Sequence, residues 1–161
     1  MLPSEASVST SVPKIGHLPR ARYPCDVQRV LIATDSEQVY SEVEAALGSK
    51  DRQLIRVRAG REVRKSVEAN DPDLVILDLQ IGNMGGVAAC LDLRLEMGAG
   101  RIPETAVLLL LDRDADVFIA DQSGADSWLI KPIEARSLRK AAEATVAGEF
   151  IRQRSELGAQ P

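Results

Sequence analysis

The chain has one histidine and two cysteines among its 161 residues, and these shortages exclude whole classes of chemistry. His17 is the only imidazole, so histidine general-base catalysis and His/Cys metal centres are nearly excluded. Cys25 and Cys90 match neither a metal-ligand spacing nor a disulfide framework. No apolar run reaches the roughly 18–20 residues of a spanning helix. The N-terminal stretch before Cys25 also lacks the apolar centre of a secretion signal. A cytoplasmic protein without membrane insertion is expected. Positive charge is not in excess, since 20 Lys+Arg stand against 24 Asp+Glu for a net charge of −4. That balance argues against a nucleic-acid-binding surface and against a polybasic membrane anchor.

What is present suits one globular domain with tails, because a 45% hydrophobic fraction is enough for a core. Residues 1–26 are rich in Ser and Pro and bury too little apolar surface to offset their ordering entropy, so a disordered tail is expected there. Residues 27–148 read as the folded domain, and 149–161 as the end of a last helix followed by a fraying tail. Within the domain, short apolar runs alternate with helical patterns. The run Val30–Ala33 ends in Thr34-Asp35, and Ser36 can cap a helix with Val39, Val43, Ala46 and Leu47 on one stripe. Leu54–Val57 alternates as an edge strand would, and a charged helix follows through Val63 and Val67. After Asp71-Pro72, the run Leu74–Leu77 ends in Asp78. The next helix is expected over Met84–Met97, with Val87, Cys90 and Leu91 on its inner face. Ala106–Leu111 is the most apolar run, a short helix is expected over Ala115–Gln122, and Trp128–Ile130 precedes a final helix over Glu134–Ala147.

Five apolar strands alternating with five helices predict a parallel sheet covered on both faces, a doubly wound α/β fold with right-handed crossovers. The working site of such a fold lies at the carboxyl ends of its strands. There the sequence delivers Thr34 and Asp35, then Asp78, then Lys131-Pro132, with Asp112 following the fourth strand. Neighbouring carboxylates are relieved by a hard cation such as Mg2+, and a lysine beside them can hold a phosphoryl group as a point charge. An Asp in that setting can become an aspartyl-phosphate. Solvated strand-end charge is the commoner explanation of any single Asp, but less so of three charged groups on one rim.

The segment Leu74-Val75-Ile76-Leu77-Asp78-Leu79-Gln80-Ile81-Gly82-Asn83-Met84-Gly85-Gly86 resembles the phosphoacceptor segment of bacterial response-regulator receiver domains. Gly124-Ala125-Asp126-Ser127-Trp128-Leu129-Ile130-Lys131-Pro132 is similar to that family's second signature. The resemblance implies a flavodoxin-like (βα)5 fold with strand order 2-1-3-4-5. It implies that Asp78 accepts a phosphoryl group from a histidine kinase or phosphotransfer protein. Asp35, Asp78 and the backbone carbonyl of Gln80 would then hold Mg2+, while Lys131 contacts the phosphoryl group and Pro132 follows a cis bond. Trp128 stands at the aromatic position that changes rotamer on activation, although simple packing explains a large ring equally well.

Three departures stand out. Thr34 replaces an acidic residue, which removes one charge from the metal pocket. Gly82 replaces a proline, which is expected to loosen the loop. Leu109, Leu110 and Leu111 offer no hydroxyl where the family has Ser or Thr at the end of strand four, so Leu110 and Leu111 mark an altered switch position. Asp112 just beyond is expected only to repel phosphate.

Three functions follow: a phosphorylatable receiver, a receiver kept as a phosphorylation-independent interaction module, and a small α/β enzyme or nucleotide binder. The last is disfavoured because no glycine-rich phosphate loop follows the first strand, where Thr34-Asp35-Ser36-Glu37 stands. The chain is thus expected not to be an enzyme. The residues after Ala147 are too few for an output domain, so signalling by contact with an unknown downstream protein is expected, with a homodimer through the strand 4–5 face. Removal of residues 1–25 is expected to leave the melting temperature unchanged, and a drop measured by circular dichroism would contradict the expected tail.

Overall fold

Strands buried on both faces must be apolar at every position, and the chain's middle runs meet that demand. The computed structural model describes residues 28–153, so the expected tail over 1–26, with His17 and Cys25, lies outside the described residues. The described elements are β1 (Gln28–Ala33), α1 (Glu37–Leu47), β2 (Arg52–Val57), α2 (Val63–Asn70), β3 (Leu74–Asp78), α3 (Gly86–Gly98), β4 (Ala106–Leu111), α4 (Val117–Gln122), β5 (Ser127–Ile130), α5 (Ala135–Val146) and β6 (Arg152–Gln153). All pair in parallel, in the order β2-β1-β3-β4-β5-β6. Strands β3 and β4 are buried throughout, and β2 is a half-buried edge as its alternation predicts.

Alternation along the strands divides the core into two layers. Val30, Ile32, Ile76, Leu108 and Leu110 pack with Val43 of α1 and Leu138 of α5. Leu31, Val75, Leu77, Leu109 and Leu111 pack on the other face with Val67, Leu93 and Trp128. Ser36 caps α1 by accepting from the Val39 N–H at 3.3 Å, as its position predicts. The register sets Asp78 beside Leu110, and Leu111 beside Ile130. The next residues up, Asp112 and Lys131, are therefore brought together at the rim.

The structure corrects three expectations. The inner face of α3 is Ala89, Cys90, Leu93 and Met97, while Leu91 is 44% exposed and Val87 only half-buried. Cys90 is a core residue whose thiol donates to the Ser123 carbonyl at 3.4 Å. The helix expected over Ala115–Gln122 starts later, because Asp114–Asp116 forms a 3-10 turn before α4. Beyond 148 the last helix does not continue. Gly148 adopts φ 85°, a left-handed conformation that ends helices, and the chain turns back along β5. The Ser127 hydroxyl accepts from the Ile151 N–H at 2.9 Å and from Thr145 Oγ1 at 2.8 Å, and the Trp128 N–H donates to the Ile151 carbonyl at 3.1 Å. Two residues of β6 thus extend the five-stranded sheet.

Leu93→Ala, at a fully buried position, is expected to cost about 2–5 kcal/mol in urea unfolding. Leu91→Ala is expected to stay within about 0.5 kcal/mol, and equal losses would contradict the observed facing of α3.

Candidate functional site

A carboxylate at the end of a buried strand must find donors or protonate. Asp78 is only 2% exposed, and it finds three donors. The Lys131 ammonium donates to Oδ1 at 2.7 Å, the Gln80 N–H donates to the same oxygen at 3.2 Å, and the Thr34 hydroxyl donates to Oδ2 at 2.7 Å. Each donor comes from a different strand end or loop, so the parallel register itself assembles the site. Burial pulls the Lys131 pKa down, but its bonds to Asp78 and Asp112 more than offset this and hold it above the usual lysine value. Lys131 is therefore a fixed cation facing Asp78.

Thr34 is fully buried. Its Oγ1 also accepts from the Ser36 N–H at 3.1 Å, which ties the turn after β1 to the Asp78 carboxylate. Asp35 sits next along, exposed, with Oδ2 accepting from the Gly82 N–H at 3.1 Å. Gly82 was expected to loosen the loop after β3. It instead fastens that loop to Asp35 through an N–H that proline lacks. Gly86 is required by closeness: a Cβ there would lie 2.5 Å from the Asp78 carbonyl oxygen. The start of α3 therefore lies directly against the Asp78 backbone.

The oxygens suit a hard divalent cation. The carboxylates of Asp35 and Asp78 and the backbone carbonyl of Gln80 are oxygen donors of the kind Mg2+ prefers, and these residues would hold it. Among the described residues no group of three or more His, Cys, Asp or Glu stands together as a metal site. Two carboxylates and a carbonyl are consistent with that, because Thr34 takes the place of a third acid and gives its hydroxyl to Asp78.

Trp128 is buried in the layer with α3 and α4, and its indole N–H donates to Asp121 Oδ1 at 3.4 Å. The Lys131–Pro132 peptide is cis, as the signature implies. Leu110 and Leu111 are fully buried, one in each core layer, and neither side chain reaches the rim site. The strand-four position that does reach it is Asp112, whose Oδ1 lies 3.1 Å from Lys131 Nζ. Sequence reading set Asp112 just after strand four and gave it only a repulsive effect on phosphate; its ion pair with Lys131 was not anticipated. The pairing of Leu111 with Ile130 is what brings the residues that follow, Asp112 and Lys131, together. Arg56 was also missed. Its Nε donates to the Thr34 carbonyl at 3.3 Å, its Nη1 to Glu37, and its guanidinium stacks 4.4 Å from the Tyr40 ring centroid. It clamps the β1–α1 turn that carries Asp35, and its bond to Glu37 holds that carboxyl below its usual range.

Comparison with known proteins agrees with this geometry. The response regulator receiver domain model matches residues 30–143. The nitrate/nitrite response regulator protein NarL of Escherichia coli is 35% identical over 92 residues, which are 57% of this chain and 41% of that protein. The transcriptional regulatory protein AfsQ1 of Streptomyces coelicolor is 26% identical over 111 residues, 68% of this chain and 47% of that protein. The chain thus matches about half the length of these curated relatives. Among solved structures, the signal receiver domain of a signal transduction histidine kinase from Syntrophus aciditrophicus superposes with TM-score 0.65 at 28% identity, covering 75% of this chain and 91% of that one. The chemotaxis response regulator CheY4 of Vibrio cholerae shares the fold with TM-score 0.65 at 21% identity, covering 74% and 98%. With its acceptor segment, its Lys-Pro strand end and its strand order all in agreement, the chain belongs to the receiver domain family of two-component response regulators.

Proposed function

We propose that Asp78 accepts a phosphoryl group from a histidine kinase or phosphotransfer protein and that the phosphorylated domain signals by contact with a further protein in the bacterial cytoplasm. The observation that carries this reading is the Asp78 carboxylate, buried at the rim yet bonded to the Lys131 ammonium at 2.7 Å. A carboxylate oxygen of Asp78 attacks phosphorus, an O–P bond forms, and the donor's N–P bond breaks with its electron pair staying on the imidazole. Lys131 stabilises the charge that gathers on the phosphoryl oxygens. Thr34 and the Gln80 N–H orient the acceptor. Mg2+ held by Asp35, Asp78 and the Gln80 carbonyl would supply charge neutralisation to the same oxygens. The domain transfers one group to itself, so it acts as a substrate and switch rather than an enzyme. A DNA-contacting role does not enter this reading, and a homodimer through the β4–β5 side is one form the protein contact can take.

A second reading has a specific observation behind it. With Asp112 on Lys131 and no hydroxyl at the end of β4, the domain can serve as a phosphorylation-independent interaction module.

Incubation with acetyl phosphate and Mg2+ is expected to add one phosphoryl mass to the intact protein. Asp78→Asn is expected to abolish it, and persistence of the added mass would move the acceptor elsewhere. Titration with Mg2+ alone is expected to change Trp128 fluorescence saturably, an effect EDTA reverses. Silence in both experiments would favour the interaction module.

A further inference from the structure

Lys131 serves two carboxylates at once. Its Nζ lies 2.7 Å from Asp78 Oδ1 and 3.1 Å from Asp112 Oδ1. The second Asp112 oxygen, Oδ2, is buried and has no hydrogen-bond partner. A carboxylate oxygen withdrawn from water without a donor is costly, and the ion pair through Oδ1 is what keeps it there. Asp112 is therefore held by a single attachment, and that attachment is the cation a phosphoryl group on Asp78 would need.

A phosphoryl group brings close to two negative charges and three acceptor oxygens to that point. The ammonium has three donors and could touch both anions, so geometry alone does not force a choice. Charge does, because Asp112 would then face a dianion across one shared cation, in a half-buried setting where screening is incomplete. We propose that Asp112 competes with the phosphoryl group for Lys131 and leaves the site when Asp78 is phosphorylated, carrying the β4–α4 connection outward. A hydroxyl at this place would be drawn toward phosphate, whereas this carboxylate is driven away, so the same covalent event has the opposite mechanical sense.

The path outward is built into the following residues. The Arg113 N–H donates to Asp116 Oδ2 at 3.2 Å, and the Arg113 guanidinium lies 3.6 Å from Asp116 Oδ1. That box makes Arg113 and the 3-10 turn over Asp114–Asp116 one unit, which runs directly into the six-residue α4. Displacement of Asp112 is thereby delivered to α4, where Phe118 and Ile119 are already exposed.

This inference rests on the reading of Asp78 as acceptor, and the experiment separates the two. Wild type, Asp112→Asn and Asp112→Thr are treated with acetyl phosphate and Mg2+, and the initial rate of mass gain is measured. Hydrogen exchange over residues 112–122 is then compared with and without Mg2+ and beryllium fluoride, a stable phosphoryl analogue. Both substitutions are expected to raise the labelling rate about tenfold, the effect of removing one adjacent like charge. In wild type the analogue is expected to speed exchange over 112–122 several-fold, while Asp112→Asn shows no such gain and Asp112→Glu retains it. A purely structural role would alter exchange equally with and without the analogue. Label in all proteins at equal rates, with the same exchange response, overturns the role of Asp112 alone. No label in any of them overturns the acceptor reading and this inference with it. Matching melting temperatures establish that the variants fold, and Asp112→Thr carries the test if Asp112→Asn does not.

Discussion

One charge buried at the rim of an apolar sheet is the constraint around which the rest is arranged. Asp78 ends a strand that is otherwise Leu-Val-Ile-Leu and sits at 2% exposure, so its carboxylate oxygens must be met by donors from the protein. The donors arrive from the end of β1, the loop after β3 and the end of β5. No sequence-local structure could gather them. It takes a parallel sheet whose carboxyl ends share one edge, and hence the alternating strand–helix order with its two apolar layers. Removing one partner of such a buried pair leaves the other uncompensated, which couples the site to the stability of the sheet.

Much of this was legible in the residues. The apolar runs Val30–Ala33, Leu74–Leu77 and Ala106–Leu111 could only be strands buried on both faces, and the cap at Ser36 and the break at Asp71-Pro72 marked the intervening helices. Residues that end strands were legible as a site because topology alone puts them together. Thr34 and Lys131 are each found bonded to Asp78.

What escaped was set by tertiary detail. In α3, Leu91, Leu93 and Leu95 alternate with Asp92, Arg94 and Glu96, which spreads apolar residues around the helix, so periodicity does not choose an inner face and packing does. Asp112 was read as a charge that only repels phosphate, because nothing local in the sequence shows that Lys131 is shared between it and Asp78. Arg56 gave no signal, since a half-buried arginine in an edge strand shows its use only once Tyr40, Glu37 and the Thr34 carbonyl surround it. The return of the chain after Gly148 depended on one hydroxyl, Ser127, lying where the Ile151 N–H could reach it.

That returning segment changes the sheet's relation to other molecules. An exposed strand edge is a template on which foreign backbone can polymerise. Here the β5 edge is closed by β6 from the same chain, with the Ile151 carbonyl and the Arg152–Gln153 backbone taking its hydrogen bonds. The outer strand at the opposite border is β2, which carries Arg52 and Arg56 in ion pairs with Glu143 and Glu37. At the β5 border a partner strand would meet the two residues of β6 rather than Trp128 and Leu129 of β5, and at the β2 border it would meet arginines already engaged in ion pairs. The segment that ends the last helix thus also decides which backbone the sheet presents at its border.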